Sequence, residues 1–183
     1  DDQLKFQQNQ RSGQDILAEA WDLPHLRSPY ELALTQEERE LTNIWREKLG
    51  LNSQDQVVGL NTGSSLRYPN KRLEVAQQAA LATKINEALP ATKVLLFGGP
   101  EDTERNKAIA EVCNGRAIET PTTLGLRAGI AIEDLADVVV SGDSLGMHIA
   151  IGLQKFVVAW FGVTCAAEID LYGRGVKLVR QLA

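Results

Sequence analysis

Asp137-Val138-Val139-Val140-Ser141-Gly142-Asp143-Ser144-Leu145-Gly146-Met147-His148-Ile149-Ala150 changes character twice along its length. It opens as a valine-rich run, passes through the small polar loop Ser141-Gly142-Asp143-Ser144, and continues as an apolar segment of helical length. A strand that ends in a short polar loop and feeds directly into a helix is half of a βαβ unit. Gln154-Lys155 ends the helical segment, and Phe156-Val157-Val158-Ala159-Trp160 supplies the next strand. The stretch from Ser144 to Ala167 is the one part of the chain apolar enough to suggest a membrane span. Gln154-Lys155 divides it into pieces too short to cross a hydrocarbon layer of about 30 Å, so it reads as a buried helix and a buried strand.

The same alternation extends in both directions. Strands are predicted near Val57-Asn61, Lys93-Phe97, Ala117-Glu119, Asp137-Val140, Phe156-Trp160 and Val176-Val179. Helices are predicted at Lys71-Leu89, Glu101-Cys113, Leu124-Ile130 and Leu145-Leu153. Strands rich in Val and Leu, each followed by a helix, imply parallel pairing with both sheet faces covered. The fold class is therefore α/β, a Rossmann-like doubly wound parallel sheet over residues 55–183. Residues 1–54 read as a separate helical segment. Ser12 and Asp15 form one helix start, and Thr35 with Glu38 forms a second, ahead of a stripe of Leu41, Ile44, Trp45 and Leu49. The prolines of Asp22–Tyr30 suit a linker between them.

Composition narrows the function classes. With 44% hydrophobic and 23% charged residues in 183, the chain has enough apolar surface for a packed core, which excludes disordered and fibrous classes. Its 24 acidic against 19 basic residues, a net charge of -5, argue against a nucleic-acid partner. Cys113 and Cys165 are the two cysteines, without metal-ligand spacing, and read as buried reduced thiols of a cytosolic protein. Polar residues interrupt the first stretch before any leader-like apolar run forms. The chain opens at Asp1 and stops just after a strand, so it is expected to be part of a larger protein.

In a doubly wound sheet, ligands bind outside the carboxyl ends of the strands where strand order reverses. With an order of 3-2-1-4-5-6, that point lies between the first and fourth strands. Two loops meet there, Asn61-Thr62-Gly63-Ser64-Ser65 and Ser141-Gly142-Asp143-Ser144. The first offers Gly63 for close backbone approach, hydroxyls at Thr62, Ser64 and Ser65, and the cations Arg67, Lys71 and Arg72. Those groups suit a diphosphate; a Gly-Ser turn beside solvated basic residues is the alternative. Neither the P-loop nor the dinucleotide glycine fingerprint is present. In the second loop Asp143 can accept from sugar hydroxyls or cap the helix, and Ser144 and His148 share a helical face. His148 can donate to a phosphate or serve as a half-buried structural residue. Glu101 or Asp102, after Phe97-Gly98-Gly99-Pro100, can meet a ribose or cap a helix.

These stretches resemble the ADP-heptose:lipopolysaccharide heptosyltransferases, glycosyltransferase family 9. Val58-Gly59-Leu60-Asn61-Thr62-Gly63-Ser64-Ser65, Tyr68-Pro69-Asn70-Lys71-Arg72, Leu95-Leu96-Phe97-Gly98-Gly99-Pro100-Glu101 and the segment from Val140 to Ala150 are similar to that family's motifs, in its order. So is Val157-Val158-Ala159-Trp160-Phe161-Gly162-Val163-Thr164. One departure is Leu145-Gly146, where the family places Gly directly after Asp-Ser. The resemblance implies the C-terminal, donor-binding half of a GT-B glycosyltransferase that transfers heptose from ADP-heptose to the lipopolysaccharide inner core. It implies that Thr62, Gly63, Ser64 and Lys71 hold the diphosphate, helped by Ser144, Leu145 and Gly146. Asp143 then meets the sugar, His148 the phosphate region and Glu101 the ribose. No metal or other cofactor is implied.

The resemblance further implies that the catalytic base and the acceptor site belong to a missing N-terminal domain, so that this chain is inactive alone. Residues 1–54 would then join the two halves, and the full enzyme would be cytoplasmic, peripheral to the inner face of the membrane. Two alternatives remain at this level. One is a non-catalytic nucleotide-sugar-binding module; the other is a transferase of the same fold using another nucleoside diphosphate sugar.

Overall fold

The computed structural model describes residues 3–24, 26–64, 71–162 and 164–179. Helix α1 spans Gly13–Ala20 and α2 spans Gln36–Lys48. Each begins at the capping box legible in the sequence. The Ser12 and Thr35 hydroxyls accept from the backbone of Asp15 and Glu38, whose carboxylates accept from the backbone of Ser12 and Thr35 in return. The α/β part follows as β1 (Gln56–Asn61), α3 (Val75–Ala88), β2 (Thr92–Phe97), α4 (Thr103–Val112) and β3 (Ile118–Glu119). It continues with α5 (Leu126–Glu133), β4 (Val138–Gly142), α6 (Leu145–Gly152), β5 (Phe156–Phe161) and β6 (Gly175–Val179). Among the described residues no helix is long and apolar enough to cross a membrane.

The six strands form one sheet in the order β3-β2-β1-β4-β5-β6, and every neighbouring pair is parallel. This is the order that places a reversal between β1 and β4, where Leu60 pairs with Val140. Alternation along each strand sends residues to opposite faces. Val57, Leu95, Phe97, Val139, Val157 and Ala159 pack with Ile132, Leu135, Met147 and Ala150 on the α5–α6 side. Val58, Leu60, Val94 and Leu96 pack with Ala79, Ala82, Ile109 and Cys113 on the other. Cys113 and Cys165 are both buried and unpaired.

Three boundaries differ from the sequence reading. The helix expected from Lys71 begins at Val75, because Glu74 takes the cap position and its backbone N–H donates to Gln77 Oε1 at 2.9 Å. Lys71 and Arg72 thus precede the helix. A 3₁₀ turn at Pro100–Asp102 occupies the start of the segment read as α4. Helix α5 runs later than expected, from Leu126 to Glu133, behind Gly125 at φ +88°.

The stripe assigned to α2 also needs correction. Trp45 and Leu49 pack against the core, but Ile44 is 47% exposed and Thr42 takes the buried position instead. The Thr42 hydroxyl bonds the Ala131 carbonyl on α5 at 2.8 Å, and Arg127 of α5 forms a two-point ion pair with Glu38 of α2. A polar seam therefore joins the first helices to the sheet layer.

Gly59, in the middle of β1, lies against the ring of Phe97, which occupies the space a Cβ would need. Both residues are in the sheet and Phe97 is buried, so neither can yield without disturbing the core. Gly59→Ala is expected to lower stability by about 1–3 kcal/mol, measured by chemical denaturation. An unchanged denaturation midpoint would contradict this packing.

Candidate functional site

At the carboxyl ends of β1 and β4 the two loops are tied together by one side chain. The Asn61 amide donates to Ser141 Oγ at 3.0 Å and to Ser144 Oγ at 2.6 Å. Ser144 is also the N-cap of α6, its hydroxyl accepting from Met147 N–H. The same Asn61 amide fills the space where a Cβ on residue 146 would stand, so Gly146 is required by its neighbour across the crevice. The first-turn N–H groups of α6 have no acceptor within the helix. Ser144, Leu145 and Gly146 at this helix start line a cavity of about 360 Å³ together with Asn61, Gly63, Ser64 and Glu101. Small-molecule sites fall in this size range.

The first loop is clamped from below. Thr62 is fully buried, its hydroxyl bonded to Phe97 O at 3.0 Å and to Asn106 Oδ1 at 2.5 Å. The sequence reading gave that hydroxyl to a ligand; the structure turns it into the core. Arg105 donates to the carbonyls of Thr62 and Leu73, and Gln78 donates to the same two. Both ends of the loop are thereby fixed. Ser65, Arg67 and the Tyr68-Pro69-Asn70 part of the motif lie outside the described residues.

Gly63 also has a different reason from the one expected. Its missing Cβ makes room for the Asp102 carboxylate. Asp102 is buried, accepts the Gly99 N–H at 3.0 Å through Oδ2, and has Arg72 at 4.0 Å from Oδ1. Burial raises its pKa, opposed by the Gly99 bond and by Arg72 and Arg105. Asp102 therefore supports the loop from inside, while Glu101 beside it is exposed and lines the cavity.

Lys71, Asp143, His148 and Tyr30 form a second array; none of the four lines the cavity above, and Lys71 and Asp143 line a separate one of about 690 Å³ with Arg72, Trp160 and Phe161. Lys71 Nζ lies 2.9 Å from Asp143 Oδ2, and Asp143 Oδ1 lies 3.9 Å from His148 Nε2. His148 Nδ1 shares a hydrogen bond with the Tyr30 hydroxyl at 2.9 Å. Burial lowers the His148 pKa against the pull of Asp143, and Lys71 lowers it further, so the ring is held neutral at pH 7. A cation, a carboxylate and an imidazole so arranged can meet phosphate oxygens and sugar hydroxyls together.

Sequence reasoning missed Tyr30, Arg105 and Glu133 as parts of this region, and placed Asn61 in the first loop without assigning its side chain a role. Glu133, at the end of α5, lines the cavity, is 4% exposed, and its Oε1 has no hydrogen-bond partner among the described residues. Among those residues no group of three or more His, Cys, Asp or Glu is placed to hold a metal ion.

The profile described as glycosyltransferase family 9 (heptosyltransferase) matches residues 6–182. No curated protein sequence gives a match. Among solved structures, a glycosyl transferase family 9 protein from Veillonella parvula DSM 2008 superposes with a TM-score of 0.79 at 21% identity, covering 96% of this chain and 51% of its own. The E. coli ADP-heptose lps heptosyltransferase II superposes at 0.66 with 22% identity, covering 87% and 48%. The E. coli heptosyltransferase WaaC, solved with ADP-2-deoxy-2-fluoro heptose, superposes at 0.59 with 17% identity, covering 92% and 48%. The chain thus spans about half the length of these structures and shares their fold.

Burial holds the Glu133 carboxyl well above its ordinary 4.5, with Lys155 pulling weakly the other way. The folded chain keeps this proton where the unfolded chain has released it. Stability is therefore greatest below pH 4.5 for this group and falls as pH rises from there through the raised value. Glu133→Gln removes the titration, so its melting temperature should gain on that of the parent steadily as pH rises from about 4.5. Parallel curves for the two proteins would contradict the assignment.

Proposed function

Because the chain belongs to glycosyltransferase family 9, the heptosyltransferase family, we propose that it is the nucleotide-sugar-binding half of a transferase that moves heptose from ADP-heptose to the lipopolysaccharide inner core. The observation that carries this reading is the cavity at the β1–β4 reversal, with the start of α6 and the hydroxyls of Ser64 and Ser144 at its wall. Backbone N–H groups at a helix start favour phosphate oxygens. Gly63, Ser64, Ser144, Leu145 and Gly146 receive the diphosphate, and Glu101 receives the ribose hydroxyls. Thr62 contributes through the shape of its loop.

The second array serves the sugar end. Lys71 stands beside the diphosphate and offsets the charge that develops as the leaving group departs. Asp143, oriented by Lys71 at 2.9 Å, accepts from heptose hydroxyls. His148, oriented by Tyr30, donates to the phosphate region through Nε2. Nδ1 then accepts the Tyr30 proton, which fixes the tautomer that leaves Nε2–H free to donate. In the displacement itself an acceptor hydroxyl attacks the anomeric carbon, the bond from that carbon to the diphosphate oxygen breaks, and ADP leaves. The hydroxyl proton passes to a base supplied by an N-terminal acceptor-binding half, joined through residues 1–54. The full enzyme works at the inner face of the cytoplasmic membrane, where its acceptor is presented.

Calorimetry with ADP tests this. The chain should bind ADP, and Lys71→Ala should weaken binding about tenfold or more, as expected for loss of one charged contact worth about 1.5–3 kcal/mol. Glu87→Ala, on the exposed surface of α3, should leave binding unchanged. Equal affinity for the parent and Lys71→Ala would contradict the assignment of the diphosphate to this loop.

A further inference from the structure

The cavity continues past the crevice along α5 to Glu133, a buried carboxyl with an unpartnered oxygen. Gly129 and Glu133 stand four residues apart on one face of α5, Gly125 precedes the helix at its cap position, and all three line the cavity. At Gly125 and Gly129 no atom comes within 4 Å of where a Cβ would stand. The helix therefore presents a smooth wall that ends in a carboxyl group. Phe97, Pro121, Leu126 and Ile149 add apolar lining. The result is a slot suited to a flat ring, with one polar group deep inside it.

One oxygen of that group is unsatisfied. Glu133 is 4% exposed, and Oε1 has no partner among the described residues. The nearest cation in electrostatic terms, Lys155, is engaged elsewhere, at 2.7 Å from Asp134 O and 2.8 Å from Asp134 Oδ1. A buried polar atom without a partner costs stability. Packing alone would be better served there by Leu, and a residue that breaks a local rule without structural return marks a functional position. Burial favours the neutral acid, which carries an O–H donor beside a C=O acceptor.

A nucleobase whose amino group sits beside a ring nitrogen presents the matching acceptor and donor. We propose that Glu133 reads the base of the donor nucleotide, pairing edge to edge with the amino-bearing edge of a purine that enters the slot from the crevice. The proposal rests on the reading of the crevice as a nucleotide-sugar site, with phosphates at the start of α6 and ribose at Glu101. A nucleotide so anchored directs its base inward past Leu126 and Gly129. Glu133 then acts as a specificity residue, selecting the base and taking no part in sugar transfer.

The test compares ADP with purine riboside 5′-diphosphate, which lacks only the 6-amino group, by calorimetry on the parent chain, Glu133→Gln and Glu133→Leu. The parent should prefer ADP by about tenfold or more, the discrimination typical of a two-point base contact. Glu133→Gln keeps a donor and an acceptor side by side and should retain the preference. Glu133→Leu should melt no lower than the parent, lose the preference, and bind the two nucleotides alike. Equal affinity of the parent for both nucleotides overturns the proposal without needing any variant, as does a preference that survives in Glu133→Leu. Failure of the parent to bind either nucleotide removes the crevice reading itself. Binding without preference removes only the role of Glu133.

Discussion

The Asn61 side chain, bonded to Ser141 and Ser144 across the gap between β1 and β4, is the contact on which the site depends. A parallel sheet whose order reverses has a crevice at the reversal, because the crossovers leave in opposite directions and nothing automatically fills the space between them. Left open, the loops there would be free to settle in several arrangements. Asn61 removes that freedom by fastening the end of β1 to the cap of α6. The contact also explains the residue at position 146, since only glycine leaves room for the amide. Ser144, Gly146 and the direction of α6 are thus set by one hydrogen-bonding group on a neighbouring strand.

The remainder of the site is held by groups that do not face it. Asp102 fills the space beneath Gly63, and Gln78 with Arg105 holds the carbonyls of Thr62 and Leu73. A binding loop gains from being fixed beforehand, because ordering a flexible loop on binding lowers affinity. The Lys71–Asp143 pair, partly buried at 2.9 Å, likewise fixes the start of the segment before α3 against the β4–α6 loop.

Much of the architecture was legible because it rests on local rules. Valine-rich runs alternating with helical segments determined the parallel sheet, and the strand order followed from the usual doubly wound arrangement. The boxes at Ser12–Asp15 and Thr35–Glu38 are four-residue signals, readable without tertiary information. The two crevice loops were recognisable from their small polar residues. What stayed hidden depends on contacts between distant positions. Tyr30 lay in a proline-containing linker and meets His148, 118 residues later, only in the fold. Gly63 looked like a place for a ligand's close approach, yet a buried carboxylate claims the space. Thr42 displaced Ile44 from the buried face of α2 because the Ala131 carbonyl needed a donor. Glu133 had no signal at all, since an acid at a helix end is ordinarily solvated.

The crevice fastened by Asn61 is proposed to receive a nucleoside diphosphate. Backbone amide shifts of the chain titrated with ADP test it most directly. The largest changes are expected at Gly63, Ser64, Leu145 and Gly146, with smaller ones along Gly125–Glu133. Saturable shifts confined to other surfaces, with these amides unmoved, would contradict it.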